Sequence, residues 1–216
     1  MTPTAAQLGL LKRMLFVLAL LPLLRVVLMG FQDKLGANPI EYITRASGDW
    51  TLYFLCLTLA ITPLRRFTGQ NWLIRLRRML GLFAFFYACL HFTTFIWFDH
   101  FFDLAEMWKD VKKRPFITIG FTAFVLLIPL AVTSTNAMQR RLGRHWAQLH
   151  RLVYVIAALA ILHFWWMRAG KHNFGEPILL GSIVALLLGV RLLFRWQAAR
   201  AAARSLAVEI SARDPG

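Results

Sequence analysis

The stretch LHRLVYVIAALAILHFWWM, residues 149–167, decides the fold of this chain. Between His150 and His163 it is apolar apart from Arg151 and Tyr154, and it is long enough to cross a bilayer as a helix. A histidine deep inside such a run is costly unless it has a partner, so it marks a functional site. A second apolar run, residues 79–98, contains one histidine, His91. We predict that His91 and His163 face each other and bind a haem iron.

The composition is that of a membrane protein. Apolar residues make up 58% of the 216 residues, which is too many for an ordinary soluble domain. The formal charge of +15 does not indicate nucleic-acid binding, because the basic residues lie between long apolar runs. The two cysteines, Cys56 and Cys89, lie inside apolar runs, where we expect inert thiols rather than a disulfide.

The apolar runs predict an all-α bundle of six transmembrane helices, with residues 1–216 forming a single domain. The predicted spans are residues 14–30, 50–64, 79–98, 116–132, 149–167 and 178–194, followed by a tail at 195–216. The first is expected to be an uncleaved membrane helix rather than a signal peptide. The second is expected to end near Pro63, because proline ends or kinks a helix.

The loop charges predict the orientation. Sixteen basic residues and two acidic ones fall on the side that carries the termini, whereas eight of each fall on the other side. By the positive-inside rule, both termini and the tail lie in the cytoplasm. The arginines of the cytoplasmic loops are expected to contact anionic lipid, and a few of them could hold a phosphate group such as that of a flavin nucleotide.

Two histidines at matched depth on parallel helices favour a haem. Each lies about 20 Å from the cytoplasmic end of its helix, so their side chains can meet. Two imidazoles fill both axial positions of the iron, which suits electron transfer and leaves no open site for oxygen. Phe85, Phe86, Phe92 and Phe164 could wall the ring, although aromatic residues are common in membrane cores. The alternatives are histidines bonded across helices without a metal, or, less favoured, a zinc site.

His150 and Arg78 form the inner counterpart of this pair. The segment from Arg78 to His91 resembles that from His150 to His163, so Arg78 occupies the place of His150. In a continuous helix His150 would point about 140° away from His163 and lie about 20 Å from it. His150 could therefore ligate a second haem, contact another cofactor or face headgroups, and His145 has the same ambiguity. His100 and His172 are expected in solvent, and Arg25 must snorkel or form a pair in the bundle.

Four stretches carry a resemblance to a known family. NPIEYITRASGDW at 38–50, LAITPLRRFTG at 59–69, LIRLRRMLGLFAFFYACLHF at 73–92 and RRLGRHWAQLHRLVYV at 140–155 resemble the MsrQ (YedZ) family. More widely, the chain is similar to the ferric-reductase transmembrane domain that NADPH oxidases share. Many of those proteins carry two histidines on each of two helices. Here Arg78 stands where one of the four would be, which puts a second bis-histidine haem in doubt.

The resemblance implies an electron relay in the bacterial inner membrane. MsrQ is the haem b subunit of a methionine sulfoxide reductase system, with FMN as a further family cofactor. It is thought to take electrons from the quinone pool, or from a flavin reductase, and to pass them to MsrP, a periplasmic molybdopterin enzyme. The chain would then be an electron-transfer subunit rather than the catalytic one. The alternatives are a stand-alone quinol or ferric reductase and, less favoured, a proton-coupled transporter.

Overall fold

A computed structural model of the chain describes residues 3–170 and 172–213, and the side chains of 206–213 are outside that description. In this part of the chain the regular structure is entirely helical. The α-helices are α1 (Ala5–Phe31), α2 (Pro39–Thr68), α3 (Arg77–Thr94), α4 (Leu104–Lys113), α5 (Pro115–Val132), α6 (Asn136–Leu142), α7 (Arg144–Leu149), α8 (Leu152–Ala169) and α9 (Gly175–Arg213). A 3₁₀-helix (Asn71–Leu76) precedes α3, and a π-helical turn (Phe95–Asp99) follows it.

The ends of α2 show how local sequence sets the helix limits. Asn38 caps the first turn by accepting a hydrogen bond from the backbone N–H of Glu41, and Pro39 occupies the first helical position. At the other end, Gly69 adopts the left-handed conformation that commonly closes a helix. Pro63 lies inside α2, so the prediction that the helix ends there was wrong. The residues after Pro63 continue the helix as far as Thr68.

The stretch quoted first is interrupted in the structure. We predicted one helical span over residues 149–167, but α7 ends at Leu149, and His150 and Arg151 form a turn before α8 begins at Leu152. The angle and depth deduced for His150 from an ideal continuous helix therefore do not apply. The start of α3 differs, because the 3₁₀-helix that ends at Leu76 continues directly into α3 at Arg77.

Two antiparallel helix pairs form the centre of the bundle, α2 with α3 and α5 with α8. α9 packs on both α2 and α8. The most extensive helix contact of α1 is with α2. The core between the pairs contains Leu59 and Ala157, which have no exposed surface, and Tyr87 at 2%. The Tyr87 hydroxyl donates to the Ala19 carbonyl of α1 and attaches that helix to the core.

Among the described residues, five segments are long and apolar enough to cross a membrane: Ala5–Phe31, Asn71–Asp99, Pro115–Val132, Arg144–Ala169 and Gly175–Ser205. They coincide with five of the six predicted spans. The remaining span, 50–64, lies within α2, which has the length but is not among the five. Its apolar run is shortened by Glu41, Arg45 and Asp49 towards one end and by Arg65 and Arg66 at the other.

The two ends of the bundle differ in their connections. At the α4 end lie residues 32–38, 99–114, 170 and 172–174, and at the arginine end lie the connections 69–76 and 133–151. The predicted tail continues α9 as helix to Arg213. Lys171 and the last part of the predicted tail, 214–216, lie outside the described residues.

Candidate functional site

His91 on α3 and His163 on α8 meet inside the bundle towards the α4 end. Their ring centres are 6.2 Å apart and the ring planes are inclined by 72°. A histidine nitrogen binds a metal at about 2 Å, and the ring centre lies about 1 Å behind the nitrogen, so two imidazoles on one metal have centres about 6 Å apart. The observed separation has this value.

Each imidazole has one nitrogen bound to a backbone carbonyl of the neighbouring helix. His91 Nδ1 lies 2.9 Å from the Thr44 oxygen, and His163 Nδ1 lies 2.7 Å from the Phe116 oxygen. A carbonyl only accepts, so each Nδ1 must carry the proton and donate it. Nε2 is then the unprotonated nitrogen, and this is the tautomer that a metal ligand requires.

A glycine lies beneath each imidazole. A Cβ added at Gly48 would lie 3.2 Å from His91 Nδ1, and one added at Gly120 would lie 2.7 Å from His163 Nδ1. The first distance is tight and the second is too short for any real Cβ. The two glycines therefore let each ring lie against the backbone of the opposite helix.

The two halves of the site repeat along the chain. A shift of 72 residues relates all three positions, 44 to 116, 48 to 120 and 91 to 163, and each histidine lies 47 residues after its carbonyl partner. The α2–α3 pair and the α5–α8 pair thus supply the same constellation from opposite sides. The recurrence of glycine and histidine at this spacing is present in the sequence, although only the histidines were predicted there as site residues.

The histidines border a cavity of about 800 Å³. Its deeper wall is apolar and consists of Leu52, Leu55, Ala84, Ala88, Ala123, Leu127, Ile156 and Ala160. Of the phenylalanines predicted to wall a ring, Phe92 and Phe164 line this cavity. Phe85 and Phe86 do not line it; Phe85 stacks on Phe124, and Phe86 packs edge-on against Phe83 and Tyr87.

The mouth of the cavity at the α4 end is polar. Two arginines lie there, Arg45 paired with Glu41, and Arg114, whose Nε is 3.4 Å from Asp110. Asp49 and Asp99 also line this region. A haem is a flat apolar ring with two carboxylates on one edge, so an apolar interior with two arginines at its mouth fits it. The two imidazoles and the apolar interior therefore fit a haem, and Arg45 and Arg114 are the residues that would hold its carboxylates.

His150 has a different environment. Its Nε2 lies 3.0 Å from the Thr133 hydroxyl, which gives its own single proton to the Pro129 carbonyl. His150 Nε2 must therefore donate to that hydroxyl. Its ring stacks on Trp146 at 4.0 Å between centres. The structure does not bring His150 to the cavity that contains His91 and His163.

Arg78 is also remote from that cavity. Its guanidinium donates to the side-chain oxygens of Asn136 and Gln139 at 2.6 and 3.2 Å. The residue thus connects the start of α3 to α6 at the arginine end.

The exposure of the remaining histidines agrees with the prediction for His172 but not for His100. His172 is exposed as expected, and His145 is an exposed residue 3.3 Å from the Gln148 side chain. The expectation for His100 was wrong, because its side chain is only 8% exposed. It packs edge-on against Phe95 with its Nε2 3.5 Å from an Asp110 oxygen. The compact fold of the 99–114 loop against α3, which the sequence did not reveal, buries it.

Comparison with known proteins identifies the family. Residues 47–161 match the family model described as ferric reductase like transmembrane component. A protein of Herminiimonas arsenicoxydans named protein-methionine-sulfoxide reductase heme-binding subunit MsrQ is 71% identical over 90% of this chain and 90% of its own length. Proteins of the same name from Ralstonia nicotianae and Bordetella pertussis are 59% and 56% identical, covering 86% and 93% of this chain and 86% and 97% of their own lengths.

No solved structure matches the chain. The agreement nevertheless spans nearly the whole sequence, at identities far above those at which families diverge in fold. The matched segment contains most of α2, all of α3 and α5, and the first part of α8. The chain belongs to the MsrQ family of the ferric-reductase-like transmembrane proteins.

Proposed function

We propose that this chain is a haem b electron-transfer subunit of the bacterial inner membrane that passes electrons to a periplasmic methionine sulfoxide reductase. The observation that carries the proposal is the His91–His163 pair, with ring centres 6.2 Å apart and both Nδ1 atoms on backbone carbonyls. The relatives' printed name, heme-binding subunit, supports the same cofactor.

The residues of the site have distinct tasks in this proposal. His91 and His163 would hold the haem iron through Nε2, and the Thr44 and Phe116 carbonyls orient the two rings. Arg45 and Arg114, which pair with Glu41 and Asp110, are the cations at the mouth of the cavity that would attract the propionates. Two protein ligands of this kind would leave substrates no access to the iron. The group, when bound, supplies a one-electron redox couple, which suits a relay rather than a catalytic subunit.

The proposal includes a topology of six spans with both termini in the cytoplasm. α2 completes the six, because it packs along α3 throughout its apolar part and so crosses the bilayer beside it. The arginine end then faces the cytoplasm, where anionic lipid attracts basic residues. The α4 end, with the mouth of the cavity, faces the periplasm. Reporter fusions at the two ends of the bundle test this orientation.

The donor and acceptor follow from the family resemblance. We propose MsrP, a periplasmic molybdopterin enzyme, as the acceptor, and the quinone pool as the donor, with a flavin reductase as the second candidate. FMN belongs to the proposal on the same basis, and flavin analysis of the purified protein tests it. We also propose a cofactor-binding role for His150 and Arg78 at the arginine end, separate from the single haem between His91 and His163.

The decisive experiment is spectroscopic. The purified full-length protein should contain one b-type haem per chain and show the spectrum of a low-spin bis-histidine centre. The reduced haem should be reoxidised when the purified periplasmic partner is added. A colourless protein would overturn the haem proposal, whereas a reduced haem that the partner leaves unchanged would overturn the choice of acceptor alone.

A further inference from the structure

A second cavity lies beside the haem-binding cavity and has no role in the proposal above. It measures about 640 Å³ and lies between α1, α2 and the end of α8. Its lining includes Arg25, Tyr42, Ala46, Asp49, Trp50, Tyr53 and Arg168. Sites of this size commonly accept a small organic molecule. We infer that this cavity binds the ring of a membrane quinol and that the quinol reduces the haem from there.

The two cavities share one wall. Glu41, Arg45 and Asp49 lie at intervals of four residues on α2, which places them in one row, and all three line both cavities. Gly48, next to Asp49, is the residue against which the His91 ring lies. A ring bound in the second cavity would thus be separated from the His91 imidazole by the thickness of one helix, α2. Electron transfer needs such a short gap.

The lining matches a flat ring with two polar oxygens. The Trp50 and Tyr53 rings are perpendicular, with centres 5.3 Å apart, and together form an aromatic corner. The Asp49 carboxylate can accept a hydrogen bond from a quinol hydroxyl. Arg168 also lines this cavity, and its side chain is only 9% exposed and pairs with Glu176. Its buried Nε has no hydrogen-bond partner among the described residues, so a rotation of the guanidinium towards the cavity would let it donate to a quinone oxygen. An unpaired buried donor of this kind is costly unless a ligand uses it.

The cavity is accessible from the lipid. On α1 only Leu8, Ala19 and Pro22 are buried. Leu21, Leu24 and Leu28, which flank Arg25, are 46–50% exposed and would face the hydrocarbon. A ligand dissolved in the bilayer reaches the space between α1 and α2 without crossing the bundle. Arg25, for which the sequence predicted snorkelling or a partner, lines this space.

The reaction balances without a further reagent. Oxidation of one quinol breaks its two O–H bonds and yields the quinone, two protons and two electrons. The electrons leave one at a time to the haem centre of the proposed function, on which this inference rests, and then to the acceptor. The protons pass to the Asp49 carboxylate and from there to water at the α4 end. The membrane quinone pool supplies the quinol.

The test uses the full-length, haem-loaded protein in lipid nanodiscs, with decylubiquinol as reductant and dithionite as a comparison. Ala46→Phe fills the second cavity without touching the haem-binding cavity, which Ala46 does not line. We expect the rate of haem reduction by the quinol to fall at least tenfold while haem content and reduction by dithionite are unchanged. Ala185→Phe, at an exposed position on α9, is the matched control and should leave the quinol rate within twofold.

Asp49→Asn provides a second variant that keeps the shape of the cavity. It should slow reduction by the quinol more than it weakens quinone binding, and Asp33→Asn in the exposed loop after α1 is its control. Photolabelling with an azidoquinone supplies a readout that needs no turnover. The label should map to residues 42–53, and Ala46→Phe should abolish it.

The outcomes separate this inference from the proposed function. Equal quinol rates in the wild type, Ala46→Phe and Asp49→Asn, or a label outside residues 42–53, would overturn the location while leaving a quinol donor in place. A wild-type haem that dithionite reduces and the quinol does not would overturn the quinol donor, and with it this site. The haem proposal would survive both results.

Discussion

The two ends of the bundle each contain a histidine on α8 or just before it, and the two are held in opposite ways. At the α4 end, His163 gives its Nδ1 proton to a carbonyl, which leaves Nε2 available, and His91 does the same from α3. At the arginine end, His150 donates from Nε2 to Thr133 and stacks on Trp146. Its counterpart 72 residues earlier is Arg78, which cannot ligate iron. One end therefore holds two histidines in the same arrangement with Nε2 unprotonated, whereas at the other end the counterpart of His150 is an arginine.

The largest effect is expected when either member of the pair is removed. His91→Ala and His163→Ala should each lower haem content at least about tenfold, because each deletes an axial ligand. Absorbance of the purified protein at the Soret band measures this. His172→Ala, at an exposed position, is the control and should retain full haem. Normal occupancy in both ligand variants would show that the haem does not bind between these residues.

A smaller and unequal effect is expected at the two glycines. Gly120→Ala should destabilise the holoprotein by about 1–3 kcal/mol, because the new Cβ would overlap the His163 ring, whereas Gly48→Ala should cost less. Thermal unfolding and haem retention measure the difference. Gly189→Ala is the matched control, because an added Cβ there would meet no described atom within 4 Å beyond its chain neighbours and the adjacent backbone of its own helix. A greater loss at Gly48 than at Gly120 would contradict the geometry of the pair.

His150→Ala should affect the haem between His91 and His163 little. We expect full occupancy of that haem and a loss of stability of about 1 kcal/mol from the lost hydrogen bond. Haem content and the spectrum of the reduced protein check this. If His150→Ala loses haem as completely as His163→Ala, a second haem is ligated at the arginine end and the comparison must be revised.

The smallest effect is expected from the surface of α4. Asp103, Glu106, Asp110 and the lysines around them make a face of mixed charge beside the cavity mouth. The hydrogen bond that Lys109 donates to the Glu106 carboxylate raises the pKa of Lys109. Such a face orients a partner without strong affinity. Lys112→Glu combined with Lys113→Glu should leave haem content unchanged and slow reoxidation by the periplasmic partner several-fold.

The measurement for these α4 variants is the reoxidation rate at low and high ionic strength. The defect should shrink with added salt, because salt screens exposed charges. Lys34→Glu, in the other loop of the α4 end, is the control. Equal rates for the wild type and the double variant at both ionic strengths would exclude docking on α4.

The sequence was sufficient for the helical class, for five of the spans and for the proximity of His91 to His163. These features follow from apolar run length and from helix rise, which are local properties. The turn at His150 and the burial of His100 depend on how loops pack against other helices. The spacing of apolar residues along the sequence contains no information on that packing. Gly48 and Gly120 were missed because a glycine in a helix indicates close approach only when the neighbour is known.

The use of backbone carbonyls as partners of the imidazoles makes the ligand geometry robust to mutation. A side-chain acceptor at position 44 or 116 would be lost by many single substitutions, whereas a main-chain oxygen is present whatever residue occupies the position. Sequence drift at these two sites therefore leaves the orientation of both rings intact. The constraint on side-chain size falls instead on the two glycines, since an added Cβ would push the imidazoles away from the carbonyls.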